Sequence, residues 1–191
     1  MRKITFDIET SNLFQDVGSP NPEDLDLAVV CIHDSLTDKF TSYEKETLNE
    51  LWPIIEACDM LIGYNSNHFD IPLLNKYYPG DLTKIKSLDI LEEIRKSFGR
   101  RVKLDDVVKA TLGQSKSADG LQAVVWWRQG RKQEVIDYCI QDVKVTRDVY
   151  DYALKNNKLK VDNKGIIEEI ILDTSLWEKL EEKEAQPLTL F

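Results

Sequence analysis

The sequence predicts an α/β fold, one mixed central sheet flanked by helices, followed by a C-terminal hairpin and a short tail. Three observations lead there. Short strand-like apolar runs crowd the first third of the chain, whereas the later part carries helical spacing. The 191 residues are 42% hydrophobic and 31% charged, the balance of a globular domain rather than a disordered chain. The chain shows no internal repeat and no low-complexity segment. A domain of this size buries roughly 70% of its unfolded surface, so it needs no disulfide or structural metal. Cys31, Cys58 and Cys139 are far apart and lack zinc-type spacing, which fits a reducing compartment. Charge enters by residue 7 and leaves no apolar leader, and nothing reaches the roughly 20 apolar residues of a membrane span. A soluble cytoplasmic protein with no membrane partner is expected.

Residues 3–9 alternate at period two and read as the first strand. A Pro/Gly/Asn-rich loop at 18–22 precedes a buried strand over 26–32 and a third over 39–43. Thr47, with Glu50 three residues on, reads as the cap of a helix running to Cys58. Residues 60–65 form a short buried strand. Helices follow at 71–78, 88–98, 104–112, 121–128 and 133–156. Residues 158–172 read as a hairpin turning at 162–165, and 175–184 as a charge-rich helical stretch. The domain boundary is expected near 175, with 176–191 as a charged tail.

The net charge of −9 counts against a nucleic-acid binder, whose surface is usually basic. The charge is uneven, however. Residues 1–70 hold 4 Lys/Arg against 14 Asp/Glu, whereas residues 84–132 hold 12 against 6. About half of the positive charge thus lies in a quarter of the chain, ending at Trp126 and Trp127. A solvated helical surface explains this as well as a binding surface does. Arg100, Arg101 and Lys103, between helices, are the candidate phosphate contacts. The two tryptophans offer a stacking surface, although neighbours on a helix diverge by about 100°, which turns at least one into the core.

Three acidic clusters carry the chemistry. Asp7 and Glu9 lie two apart on a strand and share a face, opposite Ile4, Phe6 and Ile8. Side by side they repel unless a cation neutralises them; an exposed strand end is the plainer alternative. Asp70 closes the run from Asn65 to Phe69 where a strand meets a helix, a place that also suits an ordinary helix cap. Tyr138 and Asp142 lie one helical turn apart, which a half-buried Tyr beside a surface acid also satisfies. Asp89 reads as a helix-start residue.

The order Asp-x-Glu, Asn-x3-Phe-Asp and Tyr-x3-Asp resembles the tyrosine branch of the DEDD superfamily of 3′–5′ exonucleases, which have an RNase H-like fold. The runs FDIET and YCIQDVKVTRDVY carry the likeness, which spans about residues 1–155. The LDDVVKATLG helix and the hairpin look most like stand-alone or helicase-associated members. Four carboxylates of this kind can hold two divalent cations roughly 3.5–4 Å apart that clamp an in-line displacement at phosphorus. Oxygen ligands suit Mg²⁺, with Mn²⁺ able to substitute. The resemblance implies that Asp7, Glu9, Asp70 and Asp142 are the metal ligands. Tyr138 would orient the attacking water; with a free pKa of ~10 it is a poor general base at neutral pH. Asn65 and Phe69 would lie near the substrate end, with core packing the first reading of Phe69.

The implied activity is metal-dependent hydrolysis of nucleic acid from a free 3′ end to mononucleotides. DNA is placed ahead of RNA, although no motif here reads the 2′-OH. A catalytically silent RNase H-like module that binds nucleic acid or protein is the alternative, with another enzyme of that fold, an endonuclease or integrase, behind it. The end of the tail, with Gln186, Leu188, Leu190 and Phe191, resembles the peptides by which bacterial replication and repair proteins dock on the sliding clamp. Pro187 departs from that pattern by one inserted residue.

Overall fold

In a computed structural model, which describes residues 1–114, 120–163 and 165–179, five strands form one sheet in the order β3-β2-β1-β4-β5. These are β1 (Lys3–Thr10), β2 (Leu27–Asp34), β3 (Lys39–Glu44), β4 (Met60–Gly63) and β5 (Ser87–Asp89). The first three pair antiparallel, and β4 and β5 add in parallel beyond β1. The sheet is therefore mixed, as expected from the sequence. The helices are α1 (Phe14–Val17), α2 (Leu48–Glu56), α3 (Asp70–Asn75), α4 (Ile90–Phe98), α5 (Leu104–Leu112), α6 (Gly120–Arg128) and α7 (Lys132–Asn156). β6 (Lys158–Asn163) and β7 (Ile166–Ile171) pair separately as the hairpin.

The two faces of β1 explain its alternation. Ile4, Phe6 and Ile8 pack with Leu51, Ile55 and Leu73 from α2 and α3. On the opposite face Val29 and Cys31 of β2 pack with Val135, Cys139 and Val143 of α7. β2 is covered on both faces and buried along its whole length, which is why it reads as one apolar run. A third cluster joins α4, α5 and the second half of α7 to Leu159, Val161 and Ile170 of the hairpin.

Several local expectations are corrected. Thr47 precedes α2 but makes no side-chain cap there; its hydroxyl accepts from the Glu44 N–H at 3.1 Å, closing a 3-10 turn instead. Residues 88 and 89, read as the start of a helix over 88–98, belong with Ser87 to the edge strand β5, and α4 begins at Ile90. Residues 14–17, for which the sequence predicts no element, form the single turn α1. Trp126 and Trp127 are both partly buried against the α7 cluster. Beyond the hairpin, Trp177 is buried, stacks on Tyr150 at 5.6 Å and donates to Glu93 Oε2 at 3.1 Å. Residues 175–178 form a turn, residue 179 belongs to no helix, and 180–184 of the expected helix lie outside the described residues.

Candidate metal centre

β1 supplies the first two acids. Its pleat turns Asp7 and Glu9 away from Ile8 and toward α7, so both carboxylates meet what that helix presents. α7 presents Tyr138 and Asp142 on one face, a helical turn apart. Oxygens of Asp7, Glu9 and Asp142 lie within 4.8 Å of one another. Cys139 sits behind them. Its Sγ is 3.3 Å from the Asp7 carbonyl oxygen and 3.6 Å from Asp7 Oδ2, so it fastens α7 to β1 beside the cluster.

Asp70 stands next to this trio but not in it. The ordinary helix cap that its place also suits is not its role: Phe69 is at the N-cap and Asp70 is the first residue of α3. Its Oδ1 accepts the Ile8 backbone N–H at 3.1 Å. A carboxylate thus takes the bond that ties α3 to β1. Burial pushes its pKa up to about 7, against the lowering effect of that N–H.

The same cleft, about 470 Å³, is lined by all five of these residues and by Asn65 and Phe69. Burial, and then the carboxylates of Asp142, Glu9 and Asp7, raise the Tyr138 hydroxyl well above its ordinary value, so it stays neutral. Trp126 meets the Tyr138 ring edge-on at 6.3 Å. Burial also raises the Cys139 thiol, with Cys31 beside it, so neither geometry nor charge makes it a nucleophile.

Asn65 is held by a turn that the sequence shows only in part. Asn65 has φ +63°, and Asp89 accepts its N–H at 2.8 Å and that of Asn67 at 3.1 Å. Asp89 also caps α4 through Leu91 N at 2.9 Å. It does start a helix, as expected, but it anchors the Asn65 turn as well. Gly63 is needed at the entry, because a Cβ there would lie 2.4 Å from the Ser66 side chain. Arg101 donates to Asn65 Oδ1 at 2.6 Å, while Arg100 lies over the Phe98 ring and Lys103 precedes α5. These three line an adjoining groove that Asn65 and Tyr138 share, rather than the metal cleft itself. Phe14 of α1 was not foreseen; it lines the cleft and meets Phe69 edge-on at 6.1 Å. Gln186, Leu188, Leu190 and Phe191 lie outside the described residues.

The donor set fits a hard divalent cation. Three carboxylates with their oxygens this close offer only oxygen ligands and repel one another without a positive charge between them. Among the described residues no helix is long and apolar enough to cross a membrane.

Comparison with known proteins agrees with this geometry. Among solved structures, the family B DNA polymerase of the hyperthermophilic archaeon Pyrobaculum calidifontis superposes with a TM-score of 0.63 at 19% identity. The match covers 81% of this chain and 24% of the polymerase, so the chain corresponds to about a quarter of that protein. No curated protein matches. A family model of the RNase H superfamily, RNase_H_2, matches residues 4–154, which take in β1, the Asn65 turn and nearly all of α7. The chain belongs to that RNase H superfamily family.

Proposed function

We propose that the chain is a divalent-metal-dependent 3′–5′ exonuclease that releases mononucleotides from a nucleic-acid strand, with DNA ahead of RNA. The reading rests on one observation above the others: Asp7, Glu9 and Asp142 converge within 4.8 Å, on a cleft that also holds Asp70 and Tyr138. Asp7, Glu9 and Asp142 would hold Mg²⁺ or Mn²⁺, and Asp70 would serve from the side of Ile8. Two such ions would supply Lewis-acid stabilisation of the phosphoryl oxygens and activate a water. The neutral Tyr138 hydroxyl would orient that water by hydrogen bonding; it removes no proton. Asn65 and Phe69, which line the same cleft, would position the terminal nucleotide. The likeness to part of a DNA polymerase supports the fold behind this reading.

The catalytic domain is proposed to take in residues 1–175 and the packed segment around Trp177 that follows them, and to work in the cytoplasm, with the tail at 186–191 docking on a sliding clamp. A peptide of residues 180–191 should bind a bacterial clamp, and a Leu190→Ala/Phe191→Ala peptide should not.

Digestion of 3′- and 5′-end-labelled strands with Mg²⁺, with Mn²⁺ and with EDTA tests the activity. Stepwise release from the 3′ end is expected with either metal and none with EDTA. Asp7→Asn and Asp142→Asn should each reduce the rate by at least 100-fold with the fold retained. Full activity in the double variant would refute the assignment, and internal cuts would make the enzyme an endonuclease.

A further inference from the structure

Asn65 is a junction. It lines the metal cleft, a second pocket of about 300 Å³ and a groove of about 660 Å³. Arg101 lines both of the outer spaces and donates to Asn65 across their meeting point. Arg95 and His68 complete the pocket on one side, and Arg100 and Lys103 the groove on the other.

The charges of these walls are unevenly satisfied. Most cations elsewhere are paired, as in Arg2–Asp34, Lys76–Asp26 and Arg131–Glu134. Among the described residues, Arg95, Arg100, Arg101 and Lys103 make no ion pair, and all four are exposed. Nearby acids are already engaged. Asp89 accepts backbone N–H groups, Glu92 accepts from Asn67 Nδ2 at 2.8 Å, and Asp162 faces Lys109 at 3.8 Å. Asp105 and Asp106, on the first turn of α5, close the groove on its far side. In a chain of net charge −9, every described arginine outside these walls is paired, and the three unpaired ones, Arg95, Arg100 and Arg101, all lie beside the acidic centre. A strand whose end enters that centre needs its remaining phosphates met by cations, since the carboxylates repel them.

We infer that Arg95, Arg100, Arg101 and Lys103 form a phosphodiester-backbone track, forked at Asn65, that holds the strand upstream of the nucleotide in the metal cleft. This rests on the nuclease reading and extends it with Arg95, His68 and the pocket beside α4. Arg101 is the central contact. It exchanges its bond to the neutral Asn65 oxygen for one to an ionised phosphate oxygen, the stronger of the two. The track reads phosphate, not base or sugar, so DNA and RNA strands of equal length should use it alike.

The test measures binding without catalysis. A fluorescent 12-nucleotide oligothymidylate, and an oligouridylate of the same length, are titrated with the full chain in EDTA across a range of NaCl. Two triple variants are compared: Arg95→Gln/Arg100→Gln/Arg101→Gln, and Lys39→Gln/Lys144→Gln/Lys155→Gln. The second set removes three exposed cations that line none of these spaces. Each phosphate contact on a single strand contributes about 0.7 to the slope of log K against log salt. The arginine variant should therefore lower that slope by about 2 and weaken low-salt binding at least tenfold for both oligomers, with an unchanged melting curve. The lysine variant should bind like wild type. Equal slopes in the two variants, or a loss confined to one sugar type, would overturn the track. Arginine-dependent binding without any Mg²⁺-dependent digestion would keep the track and remove the exonuclease instead.

Discussion

Asp70 carries two tasks that conflict when no cation is present. It must accept the Ile8 N–H to hold α3 on β1, and it is buried beside three other carboxylates. Its pKa in the fold, about 7, lies above the ~3.9 of an unfolded Asp. The native state therefore binds a proton over an interval where the unfolded chain does not, and stability falls as pH rises from about 4 to about 7. In EDTA, Asp70→Asn should melt above wild type at pH 7.5, and the two should converge near pH 4, while the variant loses digestion. A wild-type melting curve flat across that range would deny Asp70 its raised pKa. Tyr138 yields a different expectation. Its hydroxyl stays neutral and its ring packs against Trp126, so Tyr138→Phe keeps the packing and removes the hydroxyl proposed to orient the water. The loss in kcat should be about tenfold. An unchanged kcat would leave the hydroxyl without a role.

The element that positions the cleft most economically is the turn between β4 and α3. Asp89 accepts N–H groups from Asn65, Asn67 and Leu91, so one carboxylate fixes the turn and starts α4. Asp89→Ala should cost about 1–3 kcal/mol of stability through the lost cap and stranded N–H groups. It should also raise KM for strands, because Asn65 loses its anchor. Urea denaturation with parallel kinetics checks both, and a stability loss with unchanged KM would make Asp89 purely structural. Much of this arrangement was legible in the sequence. β1 and α7 announce themselves because Asp7 and Glu9 obey period two, and Tyr138 and Asp142 period four, inside long regular runs. The shared roles were not. Three residues, Ser87–Asp89, are too few to show a period, so β5 was absorbed into the helix that follows it. α1 is a single turn without buried residues, which hid Phe14. Asp70 sits where a cap is common, and only the pairing of β1 with its neighbours reveals that its carboxylate reaches Ile8.

At the scale of the whole molecule, β1 joins two poles. Its far half carries Asp7 and Glu9, and its near end carries Lys3, whose Nζ meets Glu178 at 2.6 Å. At about 3.3 Å per residue, that contact lies some 13–20 Å along the strand from the acids. Cations relieve repulsion at the acidic pole, so millimolar Mg²⁺ or Mn²⁺ should raise the melting temperature through binding to the native state alone. The rise should vanish in Asp7→Asn/Glu9→Gln, and its absence in wild type would argue against a preformed centre.

The other pole is closed by chain beyond the hairpin. Trp177 is 4% exposed, stacks on Tyr150 and bonds to Glu93, while Glu178 accepts from both Lys3 and Tyr150. Residues 173–179 therefore cover the joint between β1, α4 and α7 and belong to the same cooperative unit as the sheet. A chain ending at residue 172 should be less stable than one ending at 179 by about 3–5 kcal/mol, the scale of removing a buried Trp. Thermal and urea unfolding of the two truncations measures the difference directly. Trp177→Ala in the full chain should reproduce most of it, because the ring provides most of the buried area. Equal stability of the two truncations would detach this segment from the folded core and return the end of the domain to the hairpin.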